Sequence, residues 1–320
     1  MVAVNDIGFK GIKFIDVLMI FALWIGVTMP TYALSFDDIQ ANGEIRVAVY
    51  DHFPPYSFKD ENGTPAGIDI ELANALAKGL NVKLDLHWMT PDETVEDDMR
   101  NYLWKGMNLT SDDGKRVKAD VMLRVPYDRA FAMQRDDVGH PAHERVHMFV
   151  PYQQERWRMV FDAKKLDAPQ TAARFMYHPV GVEVDTVPQF YLTTAYGGRL
   201  REKSRTYSSI TDAFTALGQG DVAIVMGMSS QLEWLHQQNA SATDASESLT
   251  ELAFPLLGRS NWELGMAVQT DYRQLAYALE DIVMVHIQNG DFVRWGEKFG
   301  VDYRLPERFL PESDAIAQTP

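Results

Sequence analysis

Residues 44–80 read EIRVAVYDHFPPYSFKDENGTPAGIDIELANALAKGL, and the order of elements in this stretch decides the fold. Glu44–Tyr50 alternates Ile45, Val47 and Val49 against polar or small neighbours, the period of a strand. Asp51–Pro65 is a loop rich in Pro, Asp, Asn and Gly, with Phe53, Tyr56 and Phe58 interleaved. Gly67 then opens a helix in which Ile68, Leu72, Leu76 and Leu80 recur every four residues, with Gly79 near its end. Val82–Trp88 alternates again as a strand. Thr90-Pro91-Asp92-Glu93 has the form of a capping box with Pro at the first helical position. The helix it opens carries Val95, Met99, Tyr102 and Leu103 on one face and stops at Gly106. A polar loop, Asn108–Lys118, leads to the short apolar strand Ala119–Val125.

The second half repeats the alternation. Arg158–Phe161 and Val180–Val184 read as strands. Ser209 and Asp212 cap a helix carrying Ile210, Phe214 and Leu217. Gly218 and Gly220 end it before the buried strand Asp221–Met226. Ser230 with Glu233 starts another helix, and Thr243–Glu251 is an acidic, polar loop. Leu264–Val268 is a strand. Asp271 caps a long helix through Leu275, Leu279, Ile282 and Val283, broken at Asn289-Gly290. Phe292, Trp295 and Phe299 mark a last short helix. Strand–helix alternation in both halves implies two α/β lobes with largely parallel sheets, whose ligands sit at the carboxyl ends of strands.

Composition narrows the function. The chain has 320 residues, 30 Lys+Arg against 45 Asp+Glu, no Cys, and a net charge of −15. Without Cys there are no disulfides, thiol nucleophiles, Cys-based zinc sites or iron–sulfur clusters. The acidic balance argues against nucleic acid as a partner, because phosphate binding needs a basic patch. Lys10 and Lys13 precede the apolar run Val17–Met29, Pro30 and Thr31-Tyr32-Ala33. That order reads as a cleaved secretory signal peptide over residues 1–33, and the run is short for a membrane span. A periplasmic protein is the expectation.

Residues 46–80 resemble the start of the family 3 extracellular solute-binding proteins, the polar amino-acid type of periplasmic receptor for ATP-driven (ABC) importers. Pro54-Pro55-Tyr56, Gly63 and Gly67-Ile68-Asp69-Ile70-Glu71-Leu72-Ala73 carry most of the likeness. VHMFVPYQQERWRMVFDAKK, residues 146–165, resembles the crossover strand between lobes, and LGQGDVAIV, residues 217–225, a late strand of the second lobe. Leu257–Val268, the long helix after Asp271, and Asn289–Gly300 resemble the return to the first lobe. The resemblance implies a two-lobed periplasmic binding protein-like fold (type II) with two hinge strands. Lobe 1 would comprise residues 34–155 and 254–310 and lobe 2 residues 156–253, with a loose tail at 311–320. It also implies a non-catalytic monomer that captures a small polar, carboxylated solute for an ABC permease in the inner membrane, with no cofactor and no metal.

Candidate binding residues follow from that likeness. Phe53 and Tyr56 stand where family members place an aromatic wall against the ligand. A carboxylate-binding Arg belongs to a Thr-x-x-Arg stretch that this sequence lacks, so Arg124, Arg129 and Arg145 compete by position. Arg124 leads, at a strand's carboxyl end. At the family's Gly-Thr pair, set at a helix start where N–H groups favour an anion, Thr186 keeps the hydroxyl while Asp185 replaces the glycine and opposes an anion. Met226–Ser229 lacks the acid that pairs with an amino acid's ammonium group, which weighs against an ordinary α-amino acid. His140, His143 and His147 have metal-like spacing, but Pro141 and the strand beginning at Val146 prevent a common helical face. Two other readings share the fold. Trp104-Lys105-Gly106 and Ala119–Tyr127 (ADVMLRVPY) resemble binding-fold proteins that accompany periplasmic quinoprotein alcohol dehydrogenases. Some relatives are dehydratases of cyclic carboxylic acids, for which Glu183, Asp185 and His178 are the candidate acids and bases.

Overall fold

The computed structural model describes residues 36–107, 116–169, 171–239, 247–250 and 254–310. The expected leader at 1–33, the tail at 311–320 and parts of the loops 108–118 and 243–251 lie outside the described residues. In chain order the helices and strands are α1 (Phe36–Asn42), β1 (Glu44–Tyr50), β2 (Phe58–Lys59), β3 (Pro65–Ala66), α2 (Ile68–Gly79), β4 (Lys83–Met89) and α3 (Val95–Met99), which widens into a π turn at Arg100–Trp104. Next come β5 (Val121–Pro126), α4 (Arg129–Ala132), β6 (Val146–Asp162), β7 (Val180–Glu183), α5 (Val187–Gly198) and β8 (Ser204–Tyr207). The chain continues through α6 (Ile210–Gln219), β9 (Ile224–Met228), α7 (Ser229–Asn239), β10 (Glu247–Thr250), β11 (Asn261–Gln269), α8 (Arg273–Gln288) and α9 (Asp291–Lys298).

Two parallel blocks flank a pair of antiparallel strands. The sheet order is β4-β1-β5-β11-β6-β9-β7-β8, with β10 also on β6. β4, β1 and β5 are parallel to one another, as are β9, β7 and β8. β6 belongs to both blocks: residues up to Arg156 pair with β11, and Trp157–Phe161 pair with β9. Trp157 and Trp262 pack together at that change of partner, their rings tilted by 44° with centroids 4.6 Å apart.

Each block buries its own apolar set, as the alternation requires. Ile45, Val47 and Val49 pack with Leu72 and Leu76 of α2 and Leu275 and Leu279 of α8. On the opposite face Ala48, Met89 and Met122 meet Met99, Tyr102 and Leu103. In the second block, Val180, Val182, Ile224 and Met226 pack with Phe175 and Leu192. Ile210, Phe214 and Leu217 of α6 cover the other side with Val160, Val225 and Leu232.

Four local expectations change. The helix before the π turn is capped by Thr94, not Thr90: its hydroxyl accepts from the Asp97 N–H at 3.2 Å. Thr90 is held elsewhere, its backbone N–H and C=O both bonded to the Tyr102 hydroxyl. Arg158–Phe161 is not a separate strand but the end of the 17-residue β6. Pro151 is absorbed where the β6–β11 register shifts between Leu264 and Met266, a bulge that relieves the missing N–H. Residues 247–250 of the expected acidic loop form β10. Asp271 sits in a 3₁₀ turn before α8 and does not cap it. Thr270 anchors that turn by bonding the carbonyls of Glu144 and Arg145. Among the described residues no helix is long and apolar enough to cross a membrane.

Candidate functional site

The loop after β1 is fixed by the residues that precede and open α2. Gly67 has φ +125, and a Cβ there would lie 2.1 Å from the Tyr56 carbonyl oxygen, so only glycine fits. Ile68 and Asp69 donate their N–H groups to the carbonyls of Pro55 and Tyr56. This clasp holds Tyr56 fully buried and sets Phe53 against it, ring centroids 5.1 Å apart. A cavity of about 90 Å³ opens beside them. It is lined by His52, Phe53 and Pro54 from that loop, Glu183 at the end of β7, Ser209–Thr211 at the start of α6, and Gln231, Trp234 and Leu235 of α7.

Arg124 fills the space beneath. It is 5% exposed, and its backbone is left-handed, φ +61, with its N–H donated to the Tyr152 hydroxyl at 2.9 Å. The guanidinium carbon lies 3.4 Å from the Tyr56 ring centroid and 5.5 Å from that of Phe53. Nη1 donates to the Gln153 side-chain oxygen at 2.9 Å and approaches the Asp69 carboxylate at 3.8 Å. Burial alone would push the guanidinium's pKa down, but Tyr56, Asp69, Tyr152 and Glu155 around it raise it. Burial pushes the Asp69 carboxyl up to about 6, with Arg124 opposing the shift. Neither Asp69 oxygen has a hydrogen-bond partner among the described residues.

A second buried carboxylate joins the two blocks. Glu155 of β6 accepts hydrogen bonds from the Tyr56 hydroxyl and, at 2.9 Å, from the Ser230 hydroxyl at the start of α7. Gln153 donates to the same serine at 3.3 Å. Next to it, Glu233 accepts from Ser229 at 2.7 Å and from Arg158 at 2.6 Å, and takes the Asp302 N–H at 2.8 Å. Burial raises the Glu233 carboxyl above its usual range despite these partners. Buried charges of this kind persist only when paired.

The sequence-selected residues therefore part company. Phe53 borders the cavity, while Tyr56 and Arg124 lie beneath it. Arg129 lines a groove of about 700 Å³ with Tyr127, Arg259, Trp262 and Arg308. Arg145 lies over the Trp104 ring at 5.3 Å, in a hollow with His143 and Glu96. Neither shares a lining residue with the strand-tip cavity. Asp185 is exposed with φ +57, and Thr186 donates its hydroxyl to the Glu183 carbonyl at 2.7 Å; neither lines the cavity. His143 is buried, whereas His140 is exposed and His147 lies on β6. Gln153, Glu155, Ser230 and Glu233 were not singled out as site residues. Their signal was available: Gln153, Gln154 and Glu155 interrupt an apolar strand run, where polar side chains need buried partners.

Comparisons with known proteins agree with this fold. Residues 45–119 match the family model of bacterial extracellular solute-binding proteins, family 3. No curated protein sequence matches the chain. Among solved structures, an ancestral cationic amino acid solute-binding protein superposes with TM-score 0.62 at 19% identity, covering 83% of this chain and 99% of its own. An amino acid ABC transporter substrate-binding protein from Streptococcus pneumoniae, bound to L-arginine, gives 0.56 at 17%, covering 82% and 97%. An ancestral amino-acid-binding protein described as a precursor of cyclohexadienyl dehydratase gives 0.54 at 20%, covering 83% and 98%. The chain thus has the two-lobed architecture of the periplasmic binding proteins and, over residues 45–119, the sequence pattern of the family 3 extracellular solute-binding proteins.

Proposed function

We propose that this chain is a non-catalytic periplasmic accessory protein of a quinoprotein dehydrogenase, built on the solute-binding fold. One observation carries the reading: the guanidinium of Arg124 occupies the aromatic pocket at the strand tips. Only about 90 Å³ is left open there. Small-molecule sites enclose roughly 300–1,000 Å³, and a water takes about 30 Å³, so the space suits a few waters rather than a metabolite. The likeness of Trp104-Lys105-Gly106 and Ala119–Tyr127 to dehydrogenase-associated proteins supports the same partner.

A second reading, capture of a small polar, carboxylated solute for an ABC permease, is favoured by the family match and by amino-acid-binding proteins of the same fold. It requires Arg124 to leave its pocket and present its guanidinium to the solute. Thermal-shift measurements with L-arginine, L-glutamate and simple dicarboxylates separate the two. The accessory reading expects no shift at millimolar ligand, and dye-linked alcohol dehydrogenase activity that follows the tagged protein through purification. A saturable shift without associated dehydrogenase activity would replace it with solute capture. A dehydratase reading has weaker support: Glu183 faces the cavity, with burial raising its carboxyl, but Asp185 does not line it.

A further inference from the structure

The second block carries another hollow, away from the strand tips. Thr171, Ala172, Ala173, Met176, Tyr196, Arg199, Leu200 and Pro255 enclose about 420 Å³, inside the range of small-molecule sites. The lining is apolar except for the Thr171 hydroxyl, the Tyr196 phenol and the Arg199 guanidinium. In a chain with 45 acidic and 30 basic residues, a hollow with one cation and no carboxylate in its lining selects for anions.

The backbone around it provides a second, independent observation. α5 breaks at Ala195–Gly197, and Tyr196 takes a left-handed conformation, φ 54 and ψ 34. Leu256, next to Pro255, is also left-handed, φ 72. Such a conformation costs a branched or aromatic residue of order 1 kcal/mol, and glycine or asparagine would relieve it. Both side chains are nevertheless large, apolar and exposed, Leu256 by 71%, and Tyr177 beside Met176 is exposed by 71% as well. Strain and exposed apolar surface thus coincide at Tyr196 in the lining, and Leu256 and Tyr177 adjoin the lining residues Pro255 and Met176 in the chain; a ligand's apolar body would cover Tyr196.

We infer that this hollow binds a small amphipathic carboxylate, its alkyl or aromatic body against Ala172, Met176, Leu200 and Tyr196 and its carboxylate on Arg199. The site shares no residue with the Arg124 pocket, so it stands whichever reading of that pocket holds. Decanoate is the probe, with 1-anilinonaphthalene-8-sulfonate as a fluorescent reporter and decanol as the uncharged control. Reporter fluorescence should rise on binding at one site per chain and fall as decanoate displaces it. Arg199→Gln should weaken decanoate about tenfold while leaving decanol unchanged, the loss of one charge-assisted pair. Ala173 is exposed, so Ala173→Phe can fill the hollow without touching the core, and should abolish both. Reporter binding that neither decanoate nor Ala173→Phe affects would overturn the site. Equal loss of decanoate and decanol in Arg199→Gln would overturn the anion preference. Displacement by an acidic, aromatic peptide but not by decanoate would overturn the small ligand in favour of protein docking.

Discussion

Arg124 and Asp69 show how much a single buried charge decides. Arg124 was visible in the sequence as a cation at the end of an apolar strand, but not its direction. A left-handed backbone at a non-glycine position leaves no periodic signature, and that conformation places the guanidinium under Tyr56. Arg124→Ala should destabilise the fold by about 3–5 kcal/mol, because Asp69 and the Tyr56 ring lose their cation. Millimolar methylguanidinium should restore part of the lost melting temperature in the variant and none in the parent. Equal responses would show that the pocket is not an arginine-shaped space. Asp69 gives a pH test. Its carboxyl titrates near 6 when folded and near 4 when unfolded, so the folded chain holds the extra proton between those values. Stability from this group is therefore present below about pH 4 and lost as pH rises through 6, by roughly 3 kcal/mol in all. Asp69→Asn should flatten that decline, measured by urea unfolding at pH 4, 5, 6 and 7; an unchanged slope would rule Asp69 out as its source.

Elements were more legible than sites. β1 and α2 lie within a residue of where periodicity puts them, because each alternation or four-residue repeat matches one buried face. The cap at Ser209 was equally plain, and its hydroxyl accepts from the Asp212 N–H at 3.1 Å. Ser209→Ala should cost about 1 kcal/mol by denaturant midpoint, since the helix start keeps its exposure but loses an acceptor. Gly67→Ala should cost several times more, because the added carbon meets the Tyr56 carbonyl. If the two losses came out equal, the clasp around Tyr56 would not govern this loop. Thr94 escaped notice for a tertiary reason: Thr90 also had a capping pattern, and only the Tyr102 hydroxyl tells them apart. Likewise alternation alone stops at Pro151; the family likeness carried the crossover strand through it, and the structure absorbs the proline by setting Val150–Tyr152 of β6 against the single residue Gly265 of β11.

At the scale of the molecule, the two-lobed plan followed from strand–helix alternation and the family likeness, whereas the polar seam along β6 did not. Glu155 receives hydrogen bonds from Tyr56 in the first block and Ser230 at the start of α7, so it couples the unfolding of both. A single calorimetric transition is expected for the parent protein. In Glu155→Ala that transition should split or broaden, with its calorimetric enthalpy exceeding the van't Hoff value. A sharp, merely shifted transition would mean that the shared strand alone suffices.

The position of β11 has a consequence for how the chain is made. It lies between β5 and β6, yet β5 ends at Pro126 and β11 begins only at Asn261. At ribosomal speeds the intervening segment takes on the order of 10 s to emerge. From the emergence of β6 onward, the nascent polypeptide presents two open strand borders with nothing to zip them together. The sheet can therefore be completed only once β11 is available, and until then both borders stay open to wrong pairing.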